Sequence, residues 1–388
     1  MSGRPEYLKL PIIVDIGSGE IKAGFSGEDK PKVILKNCFG EPKFKKILRV
    51  FNKEKQEINE QYYGEECDKY LGLIKMRYPV KHGVFQNEQD ILIIFNNLYS
   101  KLGINSQEIK EHPVLVTEPL LNPISNREKI SYSLFDNLGV PALFFASQPA
   151  LSVFSTSDTS GTVLESGDGV TQSCVLYEGY PISSSYERFN YGGADVTEYL
   201  KILLKKRGYH FYNSTEIRII NEIKEKCCFC FGNNSKENYE YIKDSVNQNK
   251  INYYLPDGSN ISIGDERLLA PELLFNLELI GKEYLSFSDM IINSINHVDN
   301  ELTEKSYGNI LLSGGNTKFK GLNEELYLEL KEKQNKNIKI NLKASDKPQF
   351  SSWIGGNIIS TLEIFKKMWV TKNEWTEKGS NIVHVKSL

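Results

Sequence analysis

The pattern that most constrains this chain occurs twice. Pro11-Ile12-Ile13-Val14-Asp15-Ile16-Gly17-Ser18-Gly19-Glu20-Ile21-Lys22-Ala23-Gly24-Phe25 runs from an apolar stretch through an acid into a Gly-x-Gly turn, and Thr162-Val163-Leu164-Glu165-Ser166-Gly167-Asp168-Gly169-Val170-Thr171 repeats it. Each copy reads as a buried strand, a glycine turn and a returning strand. Gly17 and Gly19 allow positive φ, so successive backbone N–H groups can point at one anion. Lys22 can swing an ammonium toward the same anion, and Asp15 can hold a hydrated Mg²⁺. One copy alone is equally the mark of an ordinary tight hairpin. Two copies suggest two like domains facing each other, each gripping one side of a polyphosphate, with Asp15 and Glu165 converging on the metal between them.

Neither copy fits the commoner nucleotide motifs. Gly17 to Lys22 ends in Lys where a dinucleotide fingerprint needs Gly, Gly167 to Gln172 ends in Gln, and the sequence has no Gly-Lys-Ser/Thr box. The 388 residues leave room for two domains with a full core each, and 40% hydrophobic with 25% charged residues is ordinary globular composition. Lys and Arg total 47 against 50 Asp and Glu, so no global field draws the chain to nucleic acid or to an anionic membrane. Direct nucleic-acid binding and membrane insertion are therefore not expected. Met1 to Glu6 carries no apolar signal region and no lipidation motif appears at either end, which predicts a soluble intracellular protein.

Six cysteines stand at 38, 67, 174, 227, 228 and 230. Cys227-Cys228-Phe229-Cys230 invites a metal reading, but a closed zinc site needs four ligands at separated spacings and no second Cys or His pair lies nearby. Ile219, Ile220, Ile223 and Cys227 repeat at helical spacing, which predicts a buried helix end instead.

Residues 37 to 62 are irregular and basic, and Phe44, Ile47, Leu48 and Phe51 share one helical face. This excursion is a candidate protein-contact loop, or its side chains tuck back onto their own domain. Tyr78 to Gly83 reads as a turn before an amphipathic helix around Asp90 to Leu102, and His112 to Glu118 as a buried strand. Asn126 to Leu138 is helical in pattern, with Gly139 placed to end it, and Ala142 to Ala146 is a strand leading to Ser147-Gln148-Pro149. This alternation predicts an α/β chain with a mixed sheet. Then come a glycine turn at Gly192-Gly193, helices over Val196 to Lys206 and Thr215 to Cys230, and a polar tract from Gly232 to Lys250 that reads as a surface excursion or disordered loop. Tyr254 to Ser259 is a hairpin turn by its chemistry. Asn309 to Ser313 is a strand ending in Gly314-Gly315, where bare backbone lets the adenine and ribose side of a nucleotide approach closely. Ile358, Leu362, Phe365 and Trp369 predict the core stripe of a last long helix.

Together these stretches resemble the actin family, in order and along nearly the whole chain. The likeness is carried by Asp15-x-Gly-Ser-Gly with Lys22-Ala23-Gly24-Phe25, Tyr78-Pro79 through His82-Gly83, Glu111 to Leu115, Leu121-Asn122-Pro123 through Asn126-Arg127-Glu128, Ser166 to Thr171, Ile223 to Lys226, Leu312 to Gly315 and Trp353-Ile354-Gly355-Gly356. Tyr253 to Ser259, Ala270 to Phe275 and Phe365 to Val370 look more like centractin, the actin-related protein of the short dynactin filament, than like conventional actin. The resemblance implies an actin-like ATPase fold of two similar α/β domains, each with a smaller subdomain, around a nucleotide cleft. The first half would comprise 1–155 and 351–388, with its subdomain at approximately 37–78, and the second 156–350, with its subdomain at approximately 192–282. ATP with Mg²⁺ would lie in the cleft. Gly17, Ser18, Gly19 and Lys22 would hold phosphates from one side and Gly167, Asp168, Gly169 and Val170 from the other. Asp15 and Glu165 would face the metal through water, Gln148 would orient the attacking water, Gly193 would be a further cofactor contact, and Lys224, Glu225, Gly314, Gly315 and Phe319 would line the nucleoside.

Departures from the family pattern bear on chemistry. Actins carry Asn after the first Asp, where Ile16 stands. The second acid is Glu165 rather than Asp, a methylene longer, shifting the carboxyl by roughly 1.5 Å if nothing compensates. The His that follows Val-Thr in actins is Gln172, and an amide can orient water but cannot relay a proton near neutral pH. Gln349 stands where actins place a lysine. The resemblance thus implies an ATP-binding structural subunit of a short actin-like filament or dynactin-type transport complex, with weak or absent hydrolysis. Its partners would be itself or other actin-family subunits and cytoskeletal or motor-adaptor proteins. The alternative is a non-polymerising subunit of a nuclear chromatin-remodelling complex. A sugar kinase fits less well, because the motifs match actin in segments that carry no phosphate chemistry.

Overall fold

A computed structural model of the chain describes residues 9–43, 61–70, 72–232, 239–255, 258–334 and 338–388. The basic stretch from Phe44 to Asn59 lies outside the described residues. The chain opens on an antiparallel hairpin of β1 (Ile12–Ile16) and β2 (Glu20–Phe25), with Asp15 directly opposite Lys22. β3 (Val33–Lys36) extends it, while β4 (Phe39–Pro42), β5 (Tyr62–Tyr63) and β6 (Ile74–Arg77) make a separate small sheet. β7 (Val80–Lys81) and β8 (Val84–Phe85) close the turn predicted at Tyr78 to Gly83. β9 (Val114–Glu118) and β10 (Ala142–Ser147) then join the first sheet in parallel with β1 and with each other.

The second sheet repeats this plan. β11 (Gly161–Ser166) and β12 (Thr171–Tyr177) form its hairpin, with Glu165 opposite Gln172, and β13 (Tyr180–Pro181) and β14 (Glu187–Phe189) pair with β12. β15 (Ile251–Tyr254) and β16 (Asn260–Ile263) form the hairpin expected around Tyr254 to Ser259. β17 (Ile310–Ser313) runs parallel to β11, as β9 does to β1, and β18 (Leu342–Ala344) runs parallel to β17. The chain finally returns to the first sheet, where β19 (Val370–Thr371) pairs with β10. The α/β architecture with a mixed sheet stands as expected.

The apolar run of β1 is buried on both faces, as strands between two helical layers are. Ile12 and Val14 enter a core with the helix Glu88–Leu102, while Ile13 faces Trp353 of the helix Ser351–Thr361. A second large core lies under the helices Gly193–Lys206, Phe287–Asn296 and Leu322–Lys333. The helix Gln148–Phe154 crosses Ser351–Thr361 so closely that a Cβ on Gly355 would stand 1.7 Å from the Leu151 carbonyl oxygen.

Several elements differ from the sequence reading. The polar tract contains a helix, Tyr239–Gln248, in which Ile242 and Val246 are half-buried one turn apart. The helix expected to run to Cys230 stops at Cys227, and Cys228 and Cys230 fill apolar core beyond its end. The helix expected to carry Ile358 through Trp369 ends at Thr361, where Leu362 turns extended (φ -72, ψ 133). Ile358 and Leu362 are 37% and 48% exposed in consequence, and only Phe365 and Trp369 reach the core, edge-on to Phe144. None of the described helices is long and apolar enough to cross a membrane.

Candidate functional site

The two hairpins meet turn against turn. Gly17 N–H donates to the Glu20 carbonyl at 3.1 Å, and Gly167 N–H donates to the Val170 carbonyl at 2.9 Å, so both turns close in the same way. None of Gly17, Gly19, Gly167 and Gly169 adopts a positive φ, which corrects the expected reason for the first two. Space is the physical reason at three of these positions. A Cβ would fall 2.5 Å from the Glu20 oxygen at Gly17, 2.9 Å from the Asp168 Cβ at Gly19, and 2.7 Å from the Ser18 Oγ at Gly169. The first turn is held from outside: Gly83 N–H donates to Ser18 Oγ at 3.0 Å, and Asn37 Nδ2 donates to the Ser18 carbonyl at 2.5 Å. His82 Nδ1 lies 2.6 Å from the Gly169 carbonyl oxygen, fixing the second. Among the described residues the backbone N–H groups of Ser18, Gly19, Asp168 and Gly169 have no acceptor.

Behind the turns lies a buried polar chain. Lys22 Nζ sits 3.2 Å from Asp15 Oδ2, and Thr117 Oγ1 donates to Asp15 Oδ1 at 2.6 Å. Gln148 Nε2 donates to the same Oδ1 at 3.1 Å, and its Oε1 accepts from Gln172 Nε2 at 3.3 Å. Gln172 Nε2 also lies 3.4 Å from Glu165 Oε2, while Gln172 Oε1 accepts Leu120 N–H at 2.8 Å. Ser352 Oγ donates to the other Glu165 oxygen at 2.9 Å. Burial, and then the Asp15 carboxylate, push the Glu165 carboxyl up to about 8. Asp15, Gln148, Glu165 and Gln172 are therefore brought together between the two hairpins. Ile16 has no side-chain donor and packs into the first core.

A third group flanks the second turn. Lys224 Nζ donates to the Gly193 carbonyl at 2.9 Å, and burial lowers its pKa. A Cβ on Gly193 would meet Asn316 Oδ1 at 2.9 Å and Lys224 Nζ at 3.0 Å. Asn316 Nδ2 donates to the Gly167 carbonyl at 2.7 Å, and a Cβ on Gly314 would strike the Ser166 carbonyl at 2.2 Å. A Cβ on Gly315 would stand in open space. Burial raises the Asp168 carboxyl, and the Lys224 ammonium opposes that shift. Glu225 stands at the surface, accepting from Asn221 Nδ2 at 2.7 Å, and Phe319 is half-buried against the second core. Val170 completes the second turn.

Thr117, Asn316, Ser352 and His82 belong to this constellation and were not singled out for it from the sequence. Thr117 offers one usable signal. The parallel register of Ile12 with Val114 sets it beside Asp15, and it is the first polar residue after the apolar run Val114 to Val116. Ser352 and Asn316 offer no spacing that separates them from other small polar residues.

The sequence profile of the actin family matches residues 9–388. The chain belongs to the actin family. It is 39% identical over 378 residues to an actin-like protein of Neurospora crassa, covering 97% of each chain. Actin-family proteins generally bind ATP with a divalent metal. The residues in place fit such a group. The paired turns present N–H donors that lack acceptors, and Lys22 stands beside them. The buried Asp15 carboxyl and the half-buried Glu165 carboxyl share one nearby ammonium, a donor set short of positive charge. Gln349 Oε1 is also buried with no partner among the described residues, one residue from the Pro348 carbonyl that accepts Gly314 N–H.

Proposed function

We propose that this actin-family chain binds ATP with Mg²⁺ where the two hairpins meet, and serves as a structural subunit of a short actin-like filament or dynactin-type transport complex that turns ATP over slowly. Ser18 and Gly19 hold phosphate oxygens from one side and Asp168 and Gly169 from the other by N–H donation, Lys22 adds charge, and Gly17, Gly167 and Val170 close the two turns that aim those donors. Asp15 and Glu165 would hold the metal through water, and its charge would offset that of the phosphates. Gly193, Lys224, Glu225, Gly314, Gly315 and Phe319 line the nucleoside side. Residues 1–155 with 351–388, and 156–350, are then the two halves of the cleft, a division supported by the return of β19 to the first sheet. The centractin-like segments at Tyr253, Ala270 and Phe365 support the filament reading.

The observation that carries slow turnover is the Gln148–Gln172 pair. Both amides are already engaged with Asp15, Glu165 and the Leu120 N–H, and neither can accept a proton near neutral pH. The test is ATP binding, single-turnover hydrolysis and sedimentation on one Mg²⁺-containing sample. Tight binding that Lys22→Ala weakens, with slow hydrolysis and pelleting oligomers, is the expected result. Brisk hydrolysis coupled to pelleting would favour a dynamic filament, and binding without oligomers a non-polymerising subunit.

A further inference from the structure

The small sheet beside the cleft brings together two thiols that the nucleotide reading does not use. β4 and β5 pair antiparallel, Phe39 with Tyr63 and Gly40 with Tyr62. Just beyond that ladder, Gly64 N–H donates to the Cys38 carbonyl at 3.0 Å, and the Cys38 Sγ lies 3.5 Å from the Gly64 carbonyl oxygen. Gly64 then starts a 3₁₀ turn, Gly64–Tyr70, in the left-handed region (φ 54). Residues i and i+3 eclipse in such a turn, so Cys67 folds back over Gly64 and therefore over Cys38. The two cysteines lie in one buried apolar cluster with Tyr62 and Ile74. Gly40 leaves them room, since a Cβ there would press on Cys67 Sγ at 3.2 Å.

We propose that Cys38 and Cys67 form an oxidisable dithiol, a modification site that closes to a disulfide under peroxide and reopens with thiol reductant. Buried cysteines are ordinarily inert. This pair differs because both cysteines share one four-residue cluster, and because Arg218 and Lys36 lie close by, each paired with Asp68. Interaction with Cys67, assisted by Arg218 and Lys36 and opposed by burial and Asp68, holds the Cys38 thiol below its usual value, while interaction with Cys38 and then burial raise Cys67. Cys38 is thereby the attacking thiolate and Cys67 the resolving thiol. The Cys38 sulfur attacks one peroxide oxygen, the O–O bond breaks, and Cys38 becomes a sulfenic acid as hydroxide leaves and takes up a proton as water. The Cys67 sulfur then attacks the sulfenic sulfur, the S–O bond breaks, and the departing hydroxyl leaves as water with the Cys67 proton. Two thiols are oxidised and one peroxide is reduced to two waters. At 4% and 0% exposure the sulfurs meet peroxide only when the small sheet opens locally, so the reaction runs at the pace of that opening. The bond would tie the start of β4 to the turn that carries Asp68, whose carboxylate meets Arg218 of the other half.

The test needs no variant to begin with. The full chain is treated with hydrogen peroxide, its remaining thiols are alkylated, and it is digested without reductant and mapped by mass spectrometry. The expected product joins the Cys38 and Cys67 peptides, disappears on reduction, and leaves Cys174, Cys227, Cys228 and Cys230 alkylated or unreacted. Sulfinic acid on Cys38 without a cross-link, no reaction at either thiol, or cross-links through the other cysteines would overturn the proposal. Cys67→Ser should stop at a sulfenic acid on Cys38 that a cyclic 1,3-diketone traps, and Cys38→Ser should give neither adduct nor cross-link. A trapped sulfenic acid on Cys67 in Cys38→Ser would reverse the assignment of the attacking thiol and overturn that part.

Discussion

Gln172 Nε2 reaches Gln148 Oε1 at 3.3 Å, joining an amide from the second sheet to one that already donates to Asp15 in the first. The link is possible because Gln172 holds, opposite Glu165, the register position that Lys22 holds opposite Asp15. One hairpin thus places an ammonium beside its acid and the other an amide. The pair of sheets is locked by groups that orient and do not ionise.

Replacing Gln172 with His should therefore raise the single-turnover rate of bound ATP. The expected gain is about 10²- to 10⁴-fold, the usual worth of positioned proton transfer, with ATP affinity little changed. Gln148→Ala placed on top should remove most of the gain, because the amide that faces position 172 is lost. Equal rates in wild type and Gln172→His would mean that proton handling does not limit turnover.

Gly19→Ala tests whether the turns must touch. Its Cβ would stand 2.9 Å from Asp168 Cβ and 3.2 Å from Asp168 Cγ, so the hairpins must part or distort. Overpacking of this kind costs about 1–3 kcal/mol, and ATP affinity should fall about tenfold. Gly308→Ala is the control, since a Cβ there meets nothing within 4 Å. A Gly19→Ala protein with wild-type ATP affinity would show that the close approach of the turns is dispensable.

The sequence made the hairpins legible because a repeated acid and glycine spacing survives in one dimension. It misassigned the work of Gly17 and Gly19, because at Gly19 the atom that forbids a side chain belongs to Asp168 on the other hairpin. Asn316 and Ser352 were illegible for a related reason: each is one small polar residue whose partner comes from a distant strand. The stripe from Ile358 to Trp369 kept a helical spacing that the chain abandons at Leu362, where a 3₁₀ turn swings Phe365 and Trp369 onto Phe144. The helix Tyr239–Gln248 was hidden by the polarity around Ile242 and Val246.

Asp68, in the 3₁₀ turn Gly64–Tyr70, meets Arg218 of the helix Ser214–Cys227 directly and Lys36 at 3.0 Å. Part-exposed pairs of this kind contribute about 1 kcal/mol at most. Asp68→Asn should speed release of a fluorescent ATP analogue by up to about fivefold, and the difference from wild type should shrink as salt rises. Unchanged release at low salt would show that the pair does not restrain the cleft.

Glu325 provides a pH test that is separate from the nucleotide. Its Oε2 accepts Phe231 N–H at 2.8 Å, yet burial, with Glu329 and Glu272 adding to it, lifts the carboxyl to about 7 from an ordinary value of 4.5. The folded value lies above the unfolded one, so the native state holds more protons than the unfolded chain across that window. This contribution is complete below about pH 4.5 and is lost as pH rises through about 7. Glu325→Gln keeps an oxygen for the Phe231 N–H and removes the titration. Thermal midpoints of the variant and wild type should therefore diverge across the window, with wild type falling relative to the variant and the gap constant above it. Parallel curves would mean that Glu325 ionises in the folded protein as it does in the unfolded chain.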